Sequence, residues 1–239
     1  MSSNGTEPEA AAVPAGLPRV IDIVVAGLGL VVLAPLVLVI SVAVKLSSPG
    51  PVLFRQLRVG RGGQQFDLLK FRSMKAANGG PQITAAGDSR VTGVGRLLRR
   101  TKLDELPSLW NVVRGDMALV GPRPEVPRYV DLDEPGWRLV LSARPGLTDP
   151  VTLRLRNEED LLASVGDPEV FYREVLQPFK LKAYAQYLRT RSSLSDVRVL
   201  FATLLAILFP SREPPPSIDE IREVIGTDSD RISIPSSTD

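Results

Sequence analysis

The sequence predicts an α+β fold, mostly helical, with an apolar membrane segment near the N-terminus and one small β-hairpin. Three observations carry that prediction. Residues Ile23 to Val44 contain no charge. Two strand-like runs, Val52–Val59 and Gln65–Phe71, flank the turn Gly60-Arg61-Gly62-Gly63. The rest reads as helical stretches punctuated by Pro and Gly.

Composition narrows the chemistry. The 239 residues are 44% hydrophobic and 23% charged, enough to fold and bury a core. There is no Cys, which removes disulfides and thiolate metal sites. There is no His, which removes a Ser-His-Asp triad and the usual zinc sites. A nucleophile or base must then be Asp, Glu, Lys, Tyr or a hydroxyl, and a metal would be a hard cation on oxygens, such as Mg²⁺. The formal charge of +2 hides a basic middle: eleven Lys and Arg from Arg55 to Lys102 face only Asp67 and Asp88. Such a stretch suits phosphates, nucleic acid or anionic lipid heads.

Met1 to Pro18 is small and polar and reads as disordered, without the charged start of a signal peptide. The uncharged stretch from Ile23 covers about 22 residues, about 33 Å as a helix, close to the hydrocarbon thickness of a bilayer. Asp22 and Lys45 close its ends, and it has no polar face. Pro35 in its middle favours a kink. A kinked span and a hairpin that enters and leaves on one face both fit, and either places the Arg-rich side in the cytoplasm. Ser47-Ser48-Pro49-Gly50-Pro51 stops the helix, and the hairpin follows, its Gly-rich turn serving as a plain hairpin turn or a phosphate cradle.

Met74 to Gly87 reads as a loop and Val91 to Arg100 as a short helix with Arg96, Arg99 and Arg100 on one face. Leu103-Asp104-Glu105-Leu106-Pro107 precedes a helix running to about Arg114, which Gly115 stops. Gly121-Pro122-Arg123-Pro124 holds Arg123 on a stiff extended segment. Helices are expected over Asp133–Arg144, Asn157–Val165 and Pro168–Arg191, with Pro145-Gly146 ending the first and Pro178 breaking the last. Val197 to Phe209 is apolar apart from Arg198 but too short to span, and fits the core or a membrane interface equally. Beyond Pro210 the chain is acidic and Pro/Ser-rich, a mobile tail with one short helix at Ile218–Ile225.

Asp104 and Glu105 are the chemical candidates. Acids at a helix start are ordinarily caps stabilised by the helix dipole. Here Arg99, Arg100 and Lys102 precede them and Arg123 follows, which makes a site for phosphate groups. A carboxylate beside Mg²⁺ can attack phosphorus and form an acyl phosphate, splitting one hard transfer into two easier ones. With a lipid-immersed segment attached, the substrate would be part lipid and part phosphate. No G-x-x-x-x-G-K-[ST] loop is present. Aromatics are 5% of residues, too few stacking platforms for a nucleic-acid partner.

These residues sit in a series of motifs: Val20-Ile21-Asp22, the apolar stretch with Pro35, Ser48-Pro49-Gly50-Pro51-Val52, Phe54-Arg55-Gln56 and Lys70-Phe71-Arg72-Ser73-Met74. The series continues with Arg90-Val91-Thr92 and Gly95, Leu103-Asp104-Glu105-Leu106-Pro107, Leu109-Trp110-Asn111-Val112, Gly115-Asp116-Met117, Leu119-Val120-Gly121-Pro122-Arg123-Pro124 and Pro145-Gly146-Leu147-Thr148. In this order they resemble the bacterial sugar transferases, the monotopic phosphoglycosyl transferases, from about Val20 to Leu208. The resemblance implies transfer of a sugar-1-phosphate from a UDP-sugar to undecaprenyl phosphate, with release of UMP. It implies a covalent phosphosugar on Asp104, Glu105 as its partner and Mg²⁺ beside the pair. Arg99 and Arg123 are implied at the phosphates, and Lys70 and Arg72 in a basic motif near the site. It also implies a re-entrant, proline-bent membrane helix over 19–47, a cytoplasmic catalytic domain over 48–210 and attachment to the inner membrane. The oligomeric state stays open, a homodimer included.

The chain departs from the family pattern after Thr148. Many members continue Gly-Leu-Trp/Ala-Gln-Val, whereas here Asp149-Pro150-Val151-Thr152-Leu153 leads to Arg156-Asn157-Glu158-Glu159. That segment bears on sugar or uridine selection and leaves the donor sugar open. Tyr184 stands where an acid is common, so no role carries to it. An inactive membrane-anchored scaffold of the same fold is the rival reading, and intact Asp104, Glu105, Arg99 and Arg123 argue against it.

Overall fold

The computed structural model describes residues 13–75, 86–209 and 216–226. The apolar segment forms two helices, α1 (Arg19–Val32) and α2 (Ala34–Ser47), bent by 63° at Leu33. Pro35 lies in the first turn of α2, where its missing N–H leaves no hydrogen bond unmade. Among the described residues no single helix is long and apolar enough to cross a membrane; only the bent pair together reaches that length and composition. Val20, Val24, Leu28, Val31, Leu38 and Val39 are exposed along it.

Both ends of this pair are tied down by charged side chains. Asp22 is buried in α1 and accepts from the Leu119 amide at 3.1 Å. Arg19 donates to the carbonyls of Met117, at 3.0 Å, and Val112. At the far end the buried Arg72 guanidinium donates to Ser48 O at 2.7 Å, Val44 O at 3.1 Å and Pro51 O. The last carbonyls of a helix have no partner inside it, so Arg72 finishes α2.

The hairpin forms as its alternation requires: β1 (Leu53–Val59) pairs antiparallel with β2 (Gln65–Phe71), Leu53 opposite Phe71 and Val59 opposite Gln65. Gly62 and Gly63 take φ of 68° and 78°, values that favour glycine. The turn is a plain hairpin turn and lines no part of the cleft described below. Most of the expected 74–87 loop lies outside the described residues.

α3 (Gly93–Thr101) starts on Thr92, whose hydroxyl accepts from Gly95 N at 2.9 Å. α4 (Ser108–Arg114) lies along the free edge of β2. Asn111 is fully buried and donates to Asp67 O at 2.8 Å while accepting from Leu69 N at 3.0 Å; Ser108 donates to Leu69 O at 2.6 Å. Two side chains thus act as the missing third strand, satisfying an edge that would otherwise be left unpaired inside the protein.

Sequence reading missed a second sheet. β3 (Ala118–Val120) pairs in parallel with β4 (Gly146–Thr148), so Pro145-Gly146 opens a strand. A Cβ on Gly146 would collide with the Gly121 backbone and one on Gly121 with the Arg144 carbonyl, so only glycine allows this approach. α5 (Pro135–Ser142) precedes β4, and α6 (Pro150–Arg154), α7 (Glu158–Ala163) and α8 (Pro168–Phe171) follow it. Helical backbone runs on from α8 through Tyr172–Leu176, a π-turn, into α9 (Gln177–Thr190), so the regular α pattern is interrupted just ahead of Pro178, as expected there. α10 (Ser193–Leu208) starts four residues earlier than expected, at a Ser192–Ser195 capping box. Its Val199 and Leu200 pack inward, while Val197, Phe201, Leu204 and Ile207 are exposed.

Two expectations of disorder are corrected in part. Residues 13–18 pack: Leu17 N donates to Asp196 Oδ2 at 3.0 Å and Ser193 donates to Gly16 O at 2.9 Å. Residues 1–12 lie outside the described residues. In the C-terminal tail, α11 (Ile218–Gly226) buries Ile221 completely among Trp137, Phe171, Val175 and Phe179, so this stretch is part of the core. A second cluster, around Ala26, Val112, Met117, Leu119 and Leu188, joins α1 to α4, β3 and α9.

Candidate active site

A cleft of about 710 Å³ opens between the hairpin, the end of α3 and the α6–α7 segment. That is the size of a small-molecule site. Its basic wall holds Lys70, Arg99, Lys102 and Arg123, with Asp104 and Glu105 set among them.

Local backbone explains why the two acids face the same cleft. Lys102 ends α3 at φ 58°, in the left-handed region, and the chain turns into a 3₁₀ turn over Leu103–Glu105. A non-glycine residue held there costs on the order of 1 kcal/mol, so the surrounding packing enforces the reversal. α4 then anchors the turn through Ser108 and Asn111 on β2, which brings Lys70 of β2 under Glu105.

Glu105 is the hub. Its Oε1 lies 2.9 Å from Lys70 Nζ and 2.6 Å from Arg123 Nη2, and its side chain is 15% exposed. Burial alone would raise its pKa, but the attraction of Arg123 and Lys70 outweighs this and holds it well below the usual carboxylate range. The same pairing raises the Arg123 pKa. Burial lowers that of Lys70, with Glu105 opposing.

Asp104 differs. It is buried, and its Oδ1 has no hydrogen-bond partner. Burial, then the negative charge of Glu105, raises its pKa against Lys70, Lys102 and Arg99. A buried carboxylate oxygen without a partner, on a residue lining a basic cleft, is an exception to ordinary polar pairing and marks a candidate functional group.

The remaining predicted residues separate. Arg99 reaches the cleft, where its Nη2 pairs with Glu159 Oε1 at 2.5 Å; Arg96 and Arg100, expected on the same face, are exposed and line no part of it. Arg123 reaches Glu105 because Gly146 N donates to Pro122 O at 2.9 Å, which holds the Pro-Arg-Pro segment against β4. Arg72 borders the cleft and commits both terminal nitrogens to carbonyls at the end of α2 and at Pro51, so it clamps the helix, while its Nε has no partner.

The donor set suits Mg²⁺ in a restricted way. Among the described residues no group of three acidic side chains converges. Glu105, expected beside the metal together with Asp104, is engaged by Lys70 and Arg123 in this structure. A cation would rest on Asp104 and take its other oxygens from substrate phosphates and water, a common arrangement for Mg²⁺.

Sequence reading assigned no role to Ser108 or Asn111, and placed Asp149 and Thr152 only within a segment bearing on sugar or uridine selection. Asp149 is fully buried and caps α6, accepting from Thr152 N at 2.7 Å and Thr152 Oγ1 at 2.6 Å. Its burial raises its pKa. The Asp149-Pro150 pair, an N-cap before proline at the first helical position, was the legible signal for that helix.

Comparison with known proteins agrees with this layout. The family model described as bacterial sugar transferase matches residues 14–210. A UDP-glucose:undecaprenyl-phosphate glucose-1-phosphate transferase of Caulobacter vibrioides is 40% identical over 196 residues, covering 80% of this chain and 69% of that protein. The protein of that name in Escherichia coli is 40% identical over 79% of this chain and 39% of its own length. A UDP-N-acetylgalactosamine-undecaprenyl-phosphate N-acetylgalactosaminephosphotransferase of Aeromonas hydrophila is 35% identical over 80% of this chain and 44% of its own length. The chain thus spans less than half of the last two relatives. With the matched region running from ahead of α1 through α10 and enclosing the whole cleft, the chain belongs to the bacterial sugar transferase family.

Proposed function

We propose that this protein transfers a sugar-1-phosphate from a UDP-sugar to undecaprenyl phosphate at the cytoplasmic face of the inner membrane. The observation that carries the reading is the unpaired Oδ1 of buried Asp104, a residue lining a cleft walled by Lys70, Arg99 and Arg123. Family relatives act on UDP-glucose or UDP-N-acetylgalactosamine and on undecaprenyl phosphate. The apolar α1–α2 pair, bent by 63°, suits a re-entrant membrane element that would hold the cleft at lipid-headgroup level.

In this mechanism the Asp104 carboxylate attacks the phosphorus that bears the sugar. A bond forms from its oxygen to phosphorus, the bond to the bridging oxygen breaks, and UMP leaves with that electron pair. A phosphate oxygen of undecaprenyl phosphate then attacks the same phosphorus, forming a sugar-bearing pyrophosphate lipid and returning the carboxylate. Arg123 and Arg99 orient and neutralise the phosphates, while Glu105 keeps Arg123 and Lys70 in place. Bound Mg²⁺ would supply further neutralisation of phosphate charge.

Mass spectrometry of protein incubated with a UDP-sugar and Mg²⁺, without acceptor lipid, tests this directly. The expected result is a hexose-phosphate adduct on Asp104, absent in Asp104→Asn, together with UMP release. Stoichiometric UMP release with an unmodified Asp104 would overturn the covalent step. A panel of UDP-sugars identifies the donor, and undiminished turnover in chelator would remove the metal.

A further inference from the structure

The cleft's cations differ in how firmly their counter-charges are held. Glu105 is 15% exposed and shared by Lys70 and Arg123, a fixed part of the wall. Glu159 is 45% exposed, sits at the start of α7 and pairs with Arg99. Exposed pairs of this kind are worth little and exchange readily. Arg99 also has a buried Nε–H with no acceptor, so its guanidinium holds a donor that Glu159 does not use. A buried unsatisfied donor on a cleft-lining cation is a place for an oxygen anion. Glu159 further belongs to the segment in which this chain departs from its family's commonest sequence.

We propose that Glu159 is a resident competitor for Arg99: its carboxylate occupies the guanidinium until a nucleotide diphosphate arrives, and the diphosphate binds by displacing it. The inference rests on reading the cleft as a UDP-sugar site. It follows that Arg99 is never left without a counter-charge between turnovers. A diphosphate can satisfy more guanidinium donors than one carboxylate, and singly charged anions compete poorly. Return of Glu159 to Arg99 also opposes retention of UMP.

The test is calorimetric titration of the full chain, in detergent micelles at low salt with Mg²⁺, using UDP as the probe. Glu159→Gln keeps the shape and removes the charge. Its UDP affinity should rise about three- to fivefold, the scale of one half-exposed ion pair. The gain should vanish when Arg99→Gln is combined with it, and should shrink as salt is raised. If the wild type binds UDP and Glu159→Gln binds it equally or more weakly, the competitor is refuted while the cleft assignment stands. The same holds if the gain persists without Arg99. If neither protein binds UDP, the cleft assignment itself fails.

Discussion

Asp104 and Glu105 are neighbours in the chain with opposite electrostatic fates, and the difference makes predictions. Glu105→Gln leaves Lys70 and Arg123 facing each other in a buried wall. Removing one partner of this part-buried cluster should cost up to about 3 kcal/mol, less than a fully buried pair, which urea denaturation should show. Because the folded state holds the Glu105 pKa well below its unfolded value, its contribution is full above the unfolded pKa and is lost as pH falls towards the folded one. Asp104 carries the opposite sign. Its raised pKa favours folding below the unfolded value, and that advantage is lost as pH rises through the folded one. Asp104→Asn should therefore melt higher than wild type near neutral pH without divalent cations, with a smaller difference at pH 4, while showing no transfer activity. An unchanged or lower melting temperature at neutral pH would contradict this. The Asp-Glu-Leu-Pro motif made both acids visible in the sequence. Their divergence was not, because it depends on Lys70 and Arg123, 35 and 18 positions from Glu105.

At the scale of elements, the ties at the two ends of the bent helix pair matter as much as its hydropathy. Arg72→Lys retains a charge but cannot reach three carbonyls from one planar fork. It should lower the melting temperature by several degrees yet leave UDP affinity within about twofold; a large loss of affinity with unchanged stability would return Arg72 to phosphate binding. The bent pair fits a broken span or a re-entrant loop, and labelling separates the two. With no native cysteine, Ser3→Cys provides one reporter. A re-entrant pair keeps that thiol protected from impermeant reagent added outside the inner membrane, and a spanning pair exposes it. The uncharged run and Pro35 were legible because membrane length and proline chemistry are local rules. The α4 side chains that finish β2 were not, since Asn111 and Asp67 meet only after folding.

Across the whole molecule, the core extends past the end of the family match at residue 210. Ile221 is completely buried in the cluster where α11 packs on α9 and the Tyr172–Leu176 turn, and Arg154 of α6 pairs with Glu220. Ile221→Ala should destabilise by about 3 kcal/mol, a buried large-to-small change, measured by urea denaturation in detergent. A change under about 0.5 kcal/mol would mean that α11 does not belong to the core. Because α6 precedes the cleft residues Leu155 and Arg156, loss of α11 should also weaken UDP binding.

The sequence by itself determined the elements with a strong local cause: the apolar bent pair, the hairpin with its glycine turn, the short helix within 91–100, the helix start at Pro168, and the acid pair set among arginines. The ordered motifs also placed the chain in its family. The tertiary structure decided the parallel β3–β4 pairing, the docking of α11 and the role of Arg72 as a helix clamp. It also decided which carboxylate is held as an anion and which is left open. Propensity, periodicity and turn chemistry act over a few residues, whereas burial, pairing and pKa are set by groups that only the folded chain brings together.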